Sequence, residues 1–505
     1  MSIGSIISAT LSFFRGLPKN KLVELIDQLR KSYTAIAEEN ASLREQIQAL
    51  EAQTLKSKVE SVNKQSNKPS SKQAEWEEKG VGNDGKGKKK RRGKKGRKGS
   101  GNQAKAKAVT REERAKVEQC GNCGEDLSQV APLSSSKSRI IVDIPELPLE
   151  VAVIEVLQEK KYCSKCQKVS TASTDLALPK SDIGLNTTVH LIYLWISLCL
   201  PFTRISTYFS SIFGQKMSTS GLCAQVIRVA QIMQEVYDEI LKDVKQAKIL
   251  HADETGWRVQ GKNWWLWVFG THDSAIYTID KSRGKDVVRR ILGEFFMGVL
   301  VVDGWGAYLS LICDQQSCMA HLLRKIRKLY AAFPKLRSVF KFYIKFRRIL
   351  RDGERLQTQR QQLGQQVFER RLAKLHLRLD DLLNWANPND ILKQIIKKIN
   401  HQKPRILTFV QHPEVPCHNN YGEYLIRIGV LKRKVSFGSK SPQGAQAYAT
   451  LLSLYTTCKL RKISFLDFMK QSLKHYTQTG HPLLLSQYMA NKQILNSTSA
   501  MDLAA

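Results

Sequence analysis

Two short apolar segments that end in aspartate constrain the fold of this chain more than any other feature. The segment 248–253 ends in Asp253, and the strongly apolar segment 298–303 ends in Asp303. Both have the length and apolar content of buried strands. A carboxylate at the end of each is the first indication of a site.

The residues between and after these segments predict the rest of a small α/β unit. The pattern indicates two further strands, a helix, a second short helix and the beginning of a last strand, in this order: 263–270, 275–280, 284–292, 307–311 and 317–320. Three antiparallel strands, a helix and a parallel strand are the beginning of an RNase H-like fold. In that arrangement the first and fourth strands are neighbours, so we expect Asp253 and Asp303 to lie side by side.

Neighbouring carboxylates of this kind are suited to binding divalent cations. Two ions bridged by such carboxylates activate a water or a 3′-hydroxyl group and stabilise the leaving oxygen of a phosphodiester. Mg²⁺ (or Mn²⁺) suits this role because it takes few carboxylates and completes its shell with water and phosphate. Aspartate also ends strands because it favours turns, so the pair alone leaves a structural role open.

The charge of the chain predicts a polyanionic partner. The 505 residues include 80 Lys and Arg against 45 Asp and Glu, a formal net charge of +35. DNA fits this balance, although a ribosome-associated protein or one kept soluble by its charge remains an alternative. The apolar stretch 189–202 is too short for a membrane span, and the N-terminal stretch lacks the basic residues of a signal peptide. We therefore expect a cytoplasmic, nucleoid-associated protein without a membrane partner.

Heptad spacing near the N-terminus predicts a coiled coil over residues 19–56. Leucine or isoleucine recurs every seven residues, and the intervening positions are also mostly apolar: Leu22, Leu29, Ile36, Leu43 and Leu50, with Ile26, Tyr33, Asn40 and Ile47. Asn40 at a core position favours a parallel dimer in register. We expect a homodimer or a higher homo-oligomer, the alternative being a helix packed on its own globular domain.

Residues 57–115 are predicted to form a basic, disordered linker. The segment is rich in Lys, Gly, Ser, Asn and Gln and has almost no large apolar residues. Thirteen basic residues and one acidic residue, Asp84, lie between Lys79 and Lys107. Such a run can neutralise DNA phosphates without reading sequence, or it can be only a solvated segment.

Two CxxC pairs predict a zinc-binding domain over residues 116–170. Cys120 and Cys123 form the first pair, and Cys163 and Cys166 form the second. Four thiolates complete a closed tetrahedral zinc site, so the Zn²⁺ is expected to be structural. β-like segments at 139–143 and 151–157 suggest a zinc ribbon. A redox dithiol and free thiols are the alternatives.

Several motifs, in order, resemble the insertion-sequence 66 transposase family. They are HADETGW from His251, VVDGWGAY from Val301, CMAHLLRK from Cys318, HNNYGEYLIR from His418 and KRKVSFGS from Lys432. The resemblance extends from near Cys120 to about residue 475. The heptads, the basic linker and the CxxC pairs also match the layout of this family.

The resemblance implies a DDE-type recombinase with an RNase H-like catalytic domain over residues 247–475. Asp253, Asp303 and Glu423 occupy the positions of the metal-binding triad. A helical insertion at about 322–415 fits the spacing before Glu423, because that region lacks strand signals. Residues 180–246 have a helical pattern and are predicted to form a helical domain, and 476–505 are predicted to form a C-terminal tail.

Further residues of these motifs are expected near the triad or at the DNA backbone. They are Cys318, His321, Arg324, Asn420, Arg427 and Lys432. Tyr424 stands where the family commonly has a basic residue after its glutamate, which removes one cation from this set.

The combined interpretation is an insertion-sequence transposase that binds the terminal repeats of its element and its target DNA. It would cut and join strands by two-metal phosphodiester chemistry, with accessory proteins of the same element as possible partners. A catalytically decayed DNA-binding protein and an RNase H-like nuclease are the alternatives.

Overall fold

The N-terminal heptads lie on one continuous helix. In this computed structural model, which describes residues 18–66, 118–120, 122–130, 149–386 and 388–492, helix α1 spans Lys19–Ser66. It is ten residues longer than the predicted coiled coil, which ends at residue 56, and it includes the first residues of the predicted linker. Its backbone passes beside the helix at Met319–Ala332, yet several heptad residues are exposed: Ile26, Tyr33, Ile36, Leu43 and Leu50.

The cysteine-containing region forms two small turn structures. Residues 118–127 fold back through a bridge between Gln119 and Asp126, and strands β1 (Lys160–Cys163) and β2 (Lys168–Thr171) form an antiparallel hairpin. The segment 151–157, predicted to be β-like, is not a strand, and Val153 and Leu157 are 93% and 88% exposed. The predicted β-like segment 139–143 and most of the basic linker lie outside the described residues.

Four helices precede the sheet. They are α2 (Leu185–Ile196), α3 (Phe202–Phe213), α4 (Thr219–Ile232) and α5 (Gln234–Lys245). Residues 180–246, which were predicted to form a helical domain, are mostly helical. The buried residues of these helices belong to the same apolar cluster as buried residues of the strands. The helices therefore support the sheet directly.

A five-stranded mixed sheet forms the centre of the molecule. Its elements are β3 (Ile249–Val259), β4 (Lys262–Gly270), β5 (Ala275–Asp280), helix α6 (Lys285–Leu292), β6 (Phe295–Val302) and β7 (Ile312–Ser317). The spatial order is β5-β4-β3-β6-β7. β3, β4 and β5 are antiparallel neighbours, whereas β6 is parallel to both β3 and β7. This topology agrees with the α/β catalytic core predicted from the sequence.

Two strand boundaries differ from the predicted ones. β3 continues past Asp253 to Val259 because it forms a tight hairpin with β4, whose two turn residues, Gln260 and Gly261, have φ values of 50° and 74°. Two residues with positive φ are the signature of a twisted two-residue hairpin loop. The last strand ends at Ser317, where it was predicted to begin, and residues 319–320 already belong to a helix.

The region predicted as an insertion is helical. It contains α7 (Met319–Ala332), α8 (Arg337–Gln359), α9 (Gln365–Leu383), α10 (Asp390–Gln402) and the single turn α11 (Thr408–Gln411). These helices build a second apolar cluster, to which β6 contributes Val299 and Val301. The insertion is thus anchored on the strand that precedes Asp303.

Three helices follow the insertion, of which the first two pack on strands of the sheet and the third packs on α2. They are α12 (Asn420–Ser436), α13 (Pro442–Leu460) and α14 (Phe465–Thr479). Residues 476–492, the described part of the predicted tail 476–505, continue the core, because Leu485 is fully buried and Tyr488 is 1% exposed. Within the described residues, no helix combines the length and apolarity that crossing a membrane requires.

Candidate active site

The sheet brings Asp253 and Asp303 together. Strands β3 and β6 pair in parallel up to His251 and Val301, each of which lies two residues before its aspartate. Residues two apart on a strand point to the same face, so the register directs both carboxylates to one face at the end of the parallel pair. Both aspartates are partly exposed. Asp253 lies inside β3, at the point where β6 leaves it.

A tight turn after β6 holds Asp303. Gly304 has a φ of 87°, a conformation that glycine adopts without steric cost. The backbone N–H of Trp305 donates to Asp303 Oδ1 at 2.9 Å, and the Trp305 indole N–H donates to the carbonyl of Arg283 at 3.1 Å. The aspartate is therefore fixed by its own turn and by the loop that precedes α6.

Glu423 supplies a third carboxylate from the first turn of α12. It is 2% exposed, and its helix packs against β3 and β4. The approach is close because Gly429 of α12 faces Leu266 of β4. A Cβ at Gly429 would lie 2.6 Å from Leu266 Cδ2, so a larger residue there would have to displace the Leu266 side chain. The hydroxyl of Tyr277 donates to the carbonyl of Leu425 at 2.8 Å and ties the same helix to β5.

The carboxylates influence one another electrostatically. Burial raises the pKa of Asp253 well above its usual range, and the negative charges of Glu254, Asp303 and Glu423 raise it further. The backbone N–H of Glu254, which donates to Asp253 Oδ1 at 2.9 Å, acts in the opposite direction. Four acidic side chains therefore share one region with a strong mutual repulsion.

This donor set fits a hard divalent cation. All its atoms are carboxylate oxygens, the ligands that Mg²⁺ and Mn²⁺ prefer, and a cation among them would relieve the repulsion at Asp253. Across the described ranges, no three His, Cys, Asp or Glu side chains converge closely enough to hold one ion as they stand. The carboxylates are thus neighbours whose side chains have not closed on a common point.

Glu254 is a neighbour of the triad to which we assigned no role from the sequence. Its Oε1 accepts hydrogen bonds from Arg283 at 2.8 and 3.1 Å, and its Oε2 accepts one from the Tyr308 hydroxyl at 2.6 Å. Burial, followed by the charge of Asp303, raises the pKa of Glu254 to about 7. The guanidinium of Arg283 also lies between the rings of Trp265 and Trp305, 4.4 and 3.9 Å from their centroids. Glu254 therefore links β3 to the loop that carries Asp303.

His321 and Cys318, two further residues of the sequence motifs, lie near Glu423 and Asn419, respectively. His321 Nε2 is 3.5 Å from Glu423 Oε1. Burial lowers the pKa of His321, whereas the charges of Glu423 and then Asp303 act to raise it. Cys318 is 1% exposed, and burial raises the pKa of its thiol to about 11.

The remaining expected residues differ in position. Arg427 is exposed one helical turn after Glu423, and Arg324 is partly exposed one turn after Ala320. Asn420 begins α12, and within the described structure its buried side-chain oxygen has no hydrogen-bond partner. Lys432 does not fit the expected contact with the DNA backbone. It is 4% exposed, and its ammonium donates to the carbonyls of Trp195 and Leu200 at 3.2 and 2.8 Å.

The two CxxC pairs each occupy a tight turn. The backbone N–H of Gly124 donates to the carbonyl of Cys120 at 2.9 Å, and Cys163 and Cys166 lie at the turn of the β1–β2 hairpin. Backbone hydrogen bonds lower the pKa of Cys120 and of Cys163. The pairs do not meet in one cluster among the described residues, and the segment 131–148 between them lies outside those residues.

Two curated proteins of one bacterial strain are similar to parts of this chain. Uncharacterized protein y4qI of Sinorhizobium fredii (strain NBRC 101917 / NGR234) is 25% identical over 299 residues, which cover 52% of this chain and 54% of that protein. Uncharacterized protein y4jO of the same strain is 33% identical over 92 residues, 18% of this chain and 29% of that protein. The chain thus spans about half, or less, of the length of these curated relatives.

The family comparison covers the helices α2–α5, the sheet, the insertion and the helix with Glu423. The sequence model described as "Transposase IS66 family" matches residues 180–447, more than half of the chain. This match includes all three carboxylates of the candidate site. The chain therefore belongs to the IS66 family of transposases.

Proposed function

We propose that this protein is a DDE transposase that binds the ends of an insertion sequence, cuts DNA strands there and joins them to target DNA. The observation that carries this proposal is the convergence of three segments at one end of the sheet. β3 and β6 are parallel neighbours that carry Asp253 and Asp303, and α12 lays Glu423 against β3. Membership of the transposase family supports the same assignment.

Asp253, Asp303 and Glu423 are the residues that would hold Mg²⁺ or Mn²⁺. When bound, such ions activate a water or 3′-hydroxyl nucleophile and stabilise the leaving oxygen of a phosphodiester. The protein holds the three carboxylates on rigid elements, which keeps their positions defined before DNA arrives. His321, 3.5 Å from Glu423, orients that carboxylate, and the Arg283–Glu254 pair fixes the loop after Asp303.

A basic helix of the insertion supports DNA as the partner. Between residues 319 and 362 there are thirteen Lys and Arg but two Asp and Glu. On α8 the apolar face is buried against the insertion core, and the opposite face exposes six cations: Arg337, Lys341, Lys345, Arg348, Arg351 and Arg355. Their spacing of three or four residues places them on one side of the helix. We call this set the α8 stripe, and such a stripe neutralises phosphates irrespective of base sequence.

The N-terminal regions are proposed to assemble the complex. We propose that the exposed heptad residues of α1 pair with a second copy of the chain, because a synapse must hold two element ends. We also propose that Cys120, Cys123, Cys163 and Cys166 bind one structural Zn²⁺, since both pairs sit in tight turns whose first thiol has a lowered pKa. Terminal repeats, target DNA and accessory proteins of the same element complete the expected partners.

The proposal is tested by cleavage of DNA that carries the repeats flanking the gene, with Mg²⁺ or Mn²⁺ present. Asp303→Asn and Glu423→Gln each remove a charged ligand and are expected to slow strand cleavage by at least about 10²-fold. Asp314→Asn is the matched control. Asp314 is an exposed aspartate of β7, paired with His412 at 3.3 Å, and its replacement should leave the rate unchanged.

Two results would replace the proposal by another function. Tight binding of the repeats without metal-dependent cleavage would indicate a catalytically decayed DNA-binding protein. Cleavage of RNA–DNA hybrids in preference to the repeats would indicate an RNase H-like nuclease.

A further inference from the structure

Asn419, the residue before α12, joins the helix of Glu423 to the strand of Asp253. Its side-chain Nδ2 donates to the carbonyl of Ala252 at 2.7 Å, and Ala252 directly precedes Asp253. Because an amide nitrogen only donates, its Oδ1 must be the atom that faces His251 Nδ1 at 2.9 Å. His251 therefore carries a hydrogen on Nδ1, and Asn419 bonds two consecutive residues of β3.

The backbone of Asn419 connects the other two segments of the site. Its N–H donates to the sulfur of Cys318 at 3.2 Å, and its carbonyl accepts from the N–H of Glu423 at 3.1 Å. The N–H of Cys318 in turn donates to the carbonyl of Val302 at 2.7 Å, and Val302 directly precedes Asp303. All four polar groups of Asn419 are thus used, and each path ends at a carboxylate of the triad or within two residues of one.

Gly422 leaves space for the side chain of Asn419. A Cβ at Gly422 would lie 2.6 Å from Asn419 Oδ1 and 2.7 Å from Nδ2. Any other residue at position 422 would therefore displace the amide from Ala252 and His251. Asn419 is 1% exposed, so water cannot replace these bonds without opening the site.

We propose that Asn419 is a positioning residue that sets Glu423 at its working distance from Asp253 and Asp303. This inference rests on the proposed function, because it assigns Asn419 a role only if the three carboxylates share metal ions. A buried asparagine that only stabilised the fold would need no link to each of the three carboxylate-bearing segments. The hydrogen bonds of Asn419 hold the first turn of α12, which carries Glu423, in position relative to β3 and Cys318.

The test compares Asn419→Ala and Gly422→Ala with the wild type. The first measurement is the affinity of Mn²⁺ for the complex of the protein with pre-cut element-end DNA, and electron paramagnetic resonance detects the bound ion. The second is the Mn²⁺ concentration that gives half-maximal cleavage of uncut ends. We expect both variants to need at least about tenfold more Mn²⁺, because Glu423 is no longer held against β3.

Gly422→Ala separates positioning from stability. Alanine is a better helix former than glycine, so propensity alone predicts an equal or higher melting temperature for this variant. The proposal predicts a weaker Mn²⁺ response in spite of that. Asn389→Ala is the control for the loss of an asparagine that ties two helices, since Asn389 caps α10 and bonds Ser338 at 2.9 Å. It should lower stability and leave the Mn²⁺ response unchanged.

Each outcome decides one question. Wild-type Mn²⁺ binding and cleavage that persist unchanged in Gly422→Ala and Asn419→Ala would overturn the role of Asn419 and leave the proposed function intact. Absence of Mn²⁺ binding and cleavage in the wild type would instead remove the proposed function, and the positioning role with it.

Discussion

At the scale of single residues, the acidic side chains of the site differ in their hydrogen-bond partners. Glu254 is already satisfied by Arg283 and Tyr308. Asp303 is bonded by the backbone N–H of Trp305 and Asp253 by that of Glu254, which leaves oxygen lone pairs on both for a cation. A buried carboxylate with a guanidinium partner is a structural ion pair, whereas crowded carboxylates indicate a metal site. This contrast is why we place Glu254 outside the triad.

Lys432 shows what residue type alone cannot predict. It lies in a run of basic residues, and a run of this kind is usually exposed. Here it points inward, where its ammonium caps the end of α2 and lies 4.9 Å from the ring of Trp195. Burial lowers its pKa to about 8.

Lys432 therefore makes the stability of the protein depend on pH. Below pH 8 both folded and unfolded states hold the proton. Between about pH 8 and 10.5 the folded state releases a proton that the unfolded state keeps, so the free energy of unfolding rises with pH in this window. Lys432→Met should flatten that rise.

The measurement is denaturant unfolding of both proteins from pH 7 to 10. Both should carry Cys199→Ala, because burial raises the pKa of the nearby Cys199 thiol, which would add a pH dependence of its own. If the free energy of unfolding has the same pH slope with lysine and with methionine at position 432, the pKa of Lys432 is not lowered in the folded protein.

Asn419 and Gly422 could not be predicted by the same route. Both belong to the HNNYGE motif that carries the family resemblance, yet their roles depend on Ala252 and Cys318, which are 167 and 101 residues away. Asp253 and Asp303 were predictable because each follows an apolar strand. Positions whose role is a contact between distant segments leave no local pattern.

At the scale of elements, the apolar pattern predicted the strands of the sheet but not the residues at which they end. The apolar run before Asp253 was visible, whereas the continuation of β3 depends on the hairpin at Gln260 and Gly261. Gln–Gly is a weaker turn signal than Asn–Gly or Asp–Gly, so this hairpin could not be predicted from the turn residues alone. Asp253 consequently lies inside a paired strand, where its position is held more firmly than at a free strand end.

The α8 stripe leads to a prediction about DNA affinity. Replacing Arg337, Lys341 and Arg348 by glutamine should weaken DNA binding and lower the slope of log affinity against log salt by about 2 to 3. The helix should keep its fold because its buried face is unchanged. The measurement is fluorescence anisotropy with labelled duplex DNA at several salt concentrations.

A matched triple variant controls for net charge. Lys242, Lys245 and Lys470 are exposed cations of α5 and α14, which pack on the other apolar cluster. Glutamine at these three positions should leave the slope nearly unchanged. Equal losses in both triple variants would mean that only total charge matters and that α8 is not a DNA surface.

The cysteine turns lead to a second prediction at this scale. The purified protein should contain about one zinc per chain, and Cys120→Ser combined with Cys163→Ser should lose it. Elemental analysis of wild type and variant measures this directly. A wild-type protein free of zinc after purification without chelator would refute the ribbon.

At the scale of the whole molecule, the described residues form two apolar clusters. One joins the sheet to α2–α5, α13 and α14, and the other joins the insertion helices to β6. Asp303 follows the strand that contributes to both clusters. The insertion and the core are thus mechanically connected at the candidate site.

The exposed heptad residues of α1 predict self-association. Ile26, Ile36 and Leu50 are 56%, 57% and 62% exposed on a helix 48 residues long. A stripe of this kind is buried in soluble proteins by a partner helix. Removing residues 1–56 should therefore lower the oligomeric mass measured by light scattering, and an unchanged mass would sink the coiled-coil proposal.

The most direct test of the central claim is anomalous X-ray diffraction from crystals of the protein soaked with Mn²⁺ and element-end DNA. We expect manganese peaks bounded by the carboxylates of Asp253, Asp303 and Glu423, and their disappearance in Asp253→Asn. Manganese bound elsewhere, or three carboxylates that remain apart with DNA in place, would contradict it.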